Sequence, residues 1–224
     1  MPGYLGGVSP LVPPGVYTPQ EDTALLAEAL SEEPLRPGAD VLDVGTGTGA
    51  LALYAARRGM RVTAVDVSWR AVGAARINAW LSGVRVRIRH GNLFDPVRGQ
   101  TFDLMLANPP YMPAPDGGST PRGTARAWDA GRDGRLVLDR ICREAPALLR
   151  PGGVLLIVHS AVSGPERTLE LLRAAGLKSS VIRRRRIAFG PVLRERQGWL
   201  RERGLLSAAE DKEELVVVRA ELPV

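Results

Sequence analysis

The chain has 224 residues, 45% of them hydrophobic, which is enough for one sizeable core and short for two. No apolar run is long enough to cross a bilayer, the opening Met1-Pro2-Gly3-Tyr4 lacks the regions of an export signal, and the lone Cys142 excludes an internal disulfide, so one cytoplasmic domain without membrane association is expected. The formal charge of +6 comes almost wholly from arginine, since Lys178 and Lys212 are the only lysines; it favours anionic partners such as nucleic acid without choosing among them.

Residues 1–15 are rich in Gly and Pro without periodicity, which predicts an irregular arm that only docking would order. Over 19–33, Ala24, Leu25, Ala29 and Leu30 fit one face of a helix whose first turn carries Glu21 and Asp22 at the positive end of the dipole. Strands are predicted at 41–44, 62–65, 84–89, 102–107 and 154–159, with helices at 49–58, 69–81 and 132–149. Such alternation implies a parallel sheet covered on both faces. A helix over 165–175, a strand over 178–187 and a last strand over 214–220 follow. Between the final two strands, 191–211 reads as a helical insertion, with Ser207-Ala208-Ala209-Glu210 as a capping box starting a second short helix. It is either a substrate lid or a solvated decoration.

The segment Val41-Leu42-Asp43-Val44-Gly45-Thr46-Gly47-Thr48-Gly49 runs from a buried strand through a glycine turn into a helix. Such a turn brings main chain against a ligand at the switch point of a sheet. Its G-x-G-x-G spacing places the third glycine one residue earlier than in the turn that seats a dinucleotide pyrophosphate. Asp43, just ahead of it, suits a cationic ligand such as S-adenosylmethionine and would repel pyrophosphate. Asp66 closes the second strand, where a carboxylate accepts both ribose hydroxyls. Asn92, after the third strand, has an amide for an adenine edge, with Val67 and Leu93 alongside.

Asn108-Pro109-Pro110-Tyr111 follows the fourth strand, at the carboxyl edge where ligands bind. Pro109 holds Asn108 extended and both prolines fix their own φ, so the turn is stiff. An amide or adenine amino nitrogen is a poor nucleophile because its lone pair is delocalised. If Asn108 Oδ1 and the Pro109 carbonyl accept its two N–H groups, the lone pair is aimed and developing charge is stabilised. Tyr111 would be a flat wall beside it.

These segments together resemble class I S-adenosylmethionine-dependent methyltransferases over about 41–220. The resemblance implies a Rossmann-like, seven-stranded, mostly parallel sheet with helices on both faces and an antiparallel last strand. The tetrapeptide is similar to that of amino-methyltransferases, including HemK-type glutamine-N5 methyltransferases of release factors and adenine-N6 methyltransferases of DNA and RNA. Val16-Tyr17-Thr18-Pro19-Gln20-Glu21-Asp22-Thr23 resembles the entry segment of the small single-domain HemK relatives, which implies that Tyr17 and Thr23 lie by the cofactor. Ala127-Trp128-Asp129-Ala130-Gly131-Arg132-Asp133-Gly134 resembles the family's Trp-x-Gly-Gly-x-x-Gly segment, with Ala130 in place of one glycine. The Trp128 region is expected over the substrate mouth, with simple packing as the alternative.

Implied, then, is methylation of a glutamine side-chain amide of a protein such as a release factor. Adenine-N6 methylation of nucleic acid, small-molecule N-methylation and a non-enzymatic cofactor-binding scaffold are the alternatives. Bacterial release-factor enzymes carry an N-terminal helical domain for which this sequence has no room. Eukaryotic relatives work with a small zinc-binding activator, and the sequence leaves open whether one serves here. The Arg183–Arg186 run reads as a charged edge strand ahead of a polyanion site. His159 is a candidate base, His90 is taken as structural, and no metal-ligand spacing occurs.

Overall fold

The computed structural model describes residues 10–115 and 129–224. Seven strands form one sheet in the order β3-β2-β1-β4-β5-β7-β6. They are β1 (Asp40–Val44), β2 (Arg61–Asp66), β3 (Val86–His90), β4 (Phe102–Ala107), β5 (Leu149–Ser160), β6 (Lys178–Ala188) and β7 (Lys212–Glu221). All neighbours from β3 to β5 pair parallel, whereas β7 runs antiparallel to both β5 and β6. The sheet is thus the Rossmann-like one expected, with its antiparallel last strand inserted beside β5.

The helices are α1 (Glu21–Glu32), α2 (Ala50–Arg57), α3 (Trp69–Leu81), α4 (Leu138–Glu144), α5 (Pro165–Ala174) and α6 (Pro191–Glu202). Strands β1 and β4 are buried almost throughout because both of their faces are covered. On one side Leu25, Leu26 and Leu30 of α1 and Leu51 and Ala55 of α2 pack on Val41, Val62, Leu104 and Leu156. On the other, Leu138, Ile141 and Cys142 of α4 and Leu172 of α5 pack on Leu42, Met105, Ile157 and Val218. Burial pushes the Cys142 thiol up to about 12, as befits a packing residue. No helix is long and apolar enough to cross a membrane among the described residues.

Several boundaries differ from expectation. Residues 132–137 are turns, and α4 is only seven residues long before a 3-10 turn at Ala145–Leu148. The reason lies in Gly131 and Gly134, both at positive φ, which bend the chain against the site. Of the capping box one bond forms, Ser207 N–H to Glu210 Oε2 at 2.6 Å, while Ser207 Oγ accepts from Ala209 N–H at 3.3 Å and not from Glu210 N–H. No helix follows, because β7 begins at Lys212. The arm is docked where it is described: Leu11 donates to Asn78 Oδ1 at 2.8 Å and accepts from Asn78 Nδ2 at 3.0 Å, on α3.

Strand β6 is the sheet edge. Arg185 donates to both carboxylate oxygens of Glu28 on α1, at 2.8 and 2.7 Å, Arg183 pairs with Glu32, and Arg184 meets Glu214 of β7 at 2.6 Å. Three arginines of the run are thereby spent on internal ion pairs, which makes it a charged edge tied to α1. Helix α6 is packed, not decorative: Leu193 and Leu200 are buried against Met112, Val162 and Leu206.

Candidate active site

A cavity of about 1140 Å³ opens at the carboxyl ends of β1, β2 and β4. Its walls come from the segment before α1, the glycine turn, the ends of β2 and β3, the Asn108–Met112 turn and the start of α6. Of the residues singled out in the sequence, it gathers Tyr17, Thr23, Gly45, Thr46, Gly47, Asp66, Val67, Asn92, Leu93, Asn108, Pro109 and Tyr111.

Gly45 and Gly47 take φ of +73° and +56°, and a Cβ on either would meet no protein atom within 4 Å. Both positions therefore require glycine conformationally and leave an open cradle where main chain approaches a ligand. Asp66 fixes the cradle: its Oδ2 accepts from Gly47 N–H at 2.9 Å and its Oδ1 from Ser68 N–H at 2.8 Å. Burial raises its pKa, opposed by these bonds. Leu93 is held at φ +49°, a strained setting for a branched residue, beside Asn92. Trp69, which sequence reasoning left as a helix start, adds an exposed wall and stacks on His90 with ring centroids 3.8 Å apart.

Two glycine-segment assignments change. Asp43 does not line the cavity; strand alternation turns it to the α2 face, where Oδ2 accepts from Thr46 Oγ1 at 2.5 Å and Ala52 N–H at 3.2 Å. It ties the turn to the helix, and burial pushes its carboxyl up to about 6. Gly49 likewise faces α3, where an added Cβ would lie 3.2 Å from the Ala75 methyl. Both residues build the cradle from behind.

The other end of the cavity is organised by a residue read at first only as a helix-dipole acid. Asp22 is 3% exposed, and its Oδ2 accepts from the Tyr17 hydroxyl at 2.6 Å and the Tyr111 hydroxyl at 3.1 Å. Burial first, and this carboxylate second, hold both phenols well above their ordinary pKa. Asp22 Oδ1 accepts from Thr23 Oγ1 at 3.2 Å, and Thr23 Oγ1 in turn accepts from Asn108 Nδ2 at 3.2 Å. The hydroxyl proton goes to Asp22, so Thr23 offers Asn108 a lone pair, and the amide must present Nδ2 to it. Asn108 Oδ1 is left facing the cavity as an acceptor. The only local signal for Asp22 was its place between Glu21 and Thr23.

Behind the Asn108–Tyr111 turn sits a buried clamp that the sequence did not disclose. Ser163 Oγ donates to the Tyr111 carbonyl at 2.6 Å. Arg135, 7% exposed, donates to the carbonyls of Ser163 and Gly164, to Thr168 Oγ1 at 3.1 Å and to Asp139 Oδ1 at 2.7 Å. Gly134 is essential to the fit, since a Cβ there would stand 2.2 Å from the Tyr111 carbonyl oxygen. His159 belongs to this layer and not to the cavity: Nε2 lies 3.1 Å from Thr168 Oγ1 and Nδ1 2.9 Å from the Ser160 carbonyl oxygen. Burial pushes it down to about 4, so it is a neutral packing group and no base. Trp128 lies outside the described residues. Asp129, beside it, pairs with Arg196 of α6 at 2.6 Å, so α6 walls the mouth. Among the described residues no His, Cys, Asp and Glu group could hold a metal ion.

Residues 12–118 match the methyltransferase small domain family. A Methanocaldococcus jannaschii protein, named as a candidate protein N5-glutamine methyltransferase, is 35% identical over 184 residues, covering 82% of this chain and 91% of its own. The chain belongs to the protein glutamine-N5 methyltransferase family. It is an S-adenosylmethionine-dependent methyltransferase by that membership. The release factor glutamine methyltransferase of Deinococcus radiodurans is 39% identical over 79% of this methyltransferase and 65% of its own length, so just under two thirds of that relative is matched. Among solved structures, the fold is similar to that of the E. cuniculi Mtq2-Trm112 complex responsible for methylating the eRF1 translation termination factor. There the TM-score is 0.66 at 24% identity, over 93% of this chain and 99% of that one.

Proposed function

We propose that this chain transfers a methyl group from S-adenosylmethionine to the side-chain amide nitrogen of a glutamine in a protein, with a translation termination factor as the acceptor. The observation that carries the reading is the Asp22-Thr23-Asn108 chain, which leaves Asn108 Oδ1 as an acceptor over the cavity. The Gly45 and Gly47 cradle, open where a Cβ would project, fits the cofactor; Asp66 would take its ribose hydroxyls, and Asn92 and Leu93 its adenine. Bound there, S-adenosylmethionine supplies an electrophilic methyl.

The chain's own residues prepare the nucleophile. Asn108 Oδ1 and the Pro109 carbonyl accept the two amide N–H groups, which aims the nitrogen lone pair at the methyl and stabilises charge developing on it, and one of these protons leaves to solvent after transfer. Tyr111, with its hydroxyl fixed on Asp22, keeps its ring as a rigid wall. Asp22 and Glu213 make this end acidic, which favours a polypeptide over a phosphate-bearing strand.

The test offers labelled cofactor and separate pools of cell protein, DNA, RNA and small molecules. Label in a protein, mapped to glutamine, is expected; label confined to nucleic acid overturns the reading. Asn108→Ala should lower transfer by at least about a hundredfold while cofactor affinity stays within about twofold. Activity that appears only after adding cell extract would assign the missing component to an activator subunit.

A further inference from the structure

Resting on that reading, we propose that Glu213 is a substrate-positioning residue whose carboxylate accepts an N–H of the polypeptide next to the target glutamine. Glu213 is the second residue of β7, opposite Ile187 and two residues before Leu215, which pairs with Ser160 at the end of β5. This places it at the end of the sheet that also carries the Asn108–Tyr111 turn. It is 5% exposed and yet lines the cavity. Its Oε1 is sealed from solvent and has no hydrogen-bond partner among the described residues. A carboxylate oxygen removed from water without a donor is costly, so a donor that arrives with the ligand gains by the full difference.

The groups facing Glu213 show why the protein supplies none. They are Asp22 from α1, Tyr17 ahead of it and Tyr111 after β4. Both phenolic protons are already committed to Asp22 Oδ2. Two carboxyl groups with no facing cation among the described residues repel phosphate and attract N–H donors. The target amide's own N–H groups are engaged by Asn108 and Pro109, which leaves a flanking backbone or side-chain N–H for Glu213. Burial first, with Asp22 adding, pushes the Glu213 carboxyl up to about 7 against the Ser160 bond. Its charge therefore changes within the working range of an enzyme.

The experiment compares the wild-type chain with E213Q and E213A on a glutamine-containing peptide from pH 6 to 8.5, with cofactor Kd measured alongside. E213A should raise peptide KM on the order of tenfold, with kcat and cofactor Kd little changed. Wild-type peptide KM should rise as pH falls through about 7, because protonation removes the charge-assisted acceptor; in E213Q the profile should be flat. Should E213A fail to fold, the isosteric E213Q carries the decision through its pH profile. An unchanged KM and pH profile, or a cofactor Kd that weakens in step with KM, overturns the proposal while the glutamine reading stands. A wild-type chain that methylates nucleic acid and no peptide overturns both.

Discussion

At the scale of single residues, the site depends on which way one amide points. Thr23 decides it, because its hydroxyl gives its proton to Asp22 and keeps a lone pair for Asn108 Nδ2. Thr23→Val keeps the shape and removes that constraint, so Asn108 can flip and present a donor where an acceptor is needed. kcat should fall on the order of tenfold to a hundredfold with cofactor Kd unchanged; an equal loss of cofactor affinity would place Thr23 on the cofactor instead. Asn108 itself was legible in the sequence, since a polar residue pinned by two prolines at a strand end has few other uses. Asp22 was not legible: its partners Tyr17 and Tyr111 are 5 and 89 residues away, and a helix's first turn is where an acid needs no special explanation. The place of Asp43 behind the glycine turn was not legible for a related reason, because strand alternation alone does not say which face the cavity occupies.

Among elements, the stiff turn after β4 is stiff only because other elements hold it. Ser163, in the 3-10 turn after β5, and Gly134, ahead of α4, meet at the Tyr111 carbonyl. Ser163→Ala leaves that carbonyl without its donor, and kcat should drop about tenfold while the cofactor still binds normally. A change in peptide KM alone would mean the turn keeps its geometry unaided. Gly134→Ala should be worse, since it combines a clash with a positive φ. The predicted long helix over 132–149 missed this, because its apolar spacing continued through residues whose task is a close approach. The capping box shows the converse: its Glu210 bond to Ser207 N–H can form with no helix where the next strand claims the chain. Helix α6 is packed through Leu193 and Leu200, whose burial needs partners from Met112 and Val162 that no local pattern names.

In the whole molecule, alternating apolar strands and amphipathic helices made the sheet and its order of elements legible, whereas tertiary hydrogen bonding was not. Burial of titratable groups also gives the fold an acid sensitivity that can be read out. His159 is buried with its pKa pushed down to about 4, below the ordinary value near 6.5, so its contribution is complete above pH 6.5 and is lost as pH falls toward 4. Asp43 has the opposite sign: raised to about 6, its contribution is present at low pH and lost as pH rises through 6. The two oppose each other in the wild type. A comparison of the wild type with His159→Gln by urea unfolding isolates the first. The variant's deficit should be greatest above pH 6.5 and narrow by up to about 3 kcal/mol toward pH 4. A deficit independent of pH would mean that the imidazole is hydrated or already charged.

The place of β7 between β5 and β6 has a further consequence, concerning time. Among the described residues β6 pairs with no strand except β7, so a nascent chain that has made β6 holds it without a strand partner. Only synthesis of β7 closes the sheet, and the same strand delivers Glu213 to the cavity. The acceptor end of the site, drawn from residues 17 to 213, is therefore finished last, and a ribosome-bound chain would complete its cofactor cradle well before it could position an acceptor.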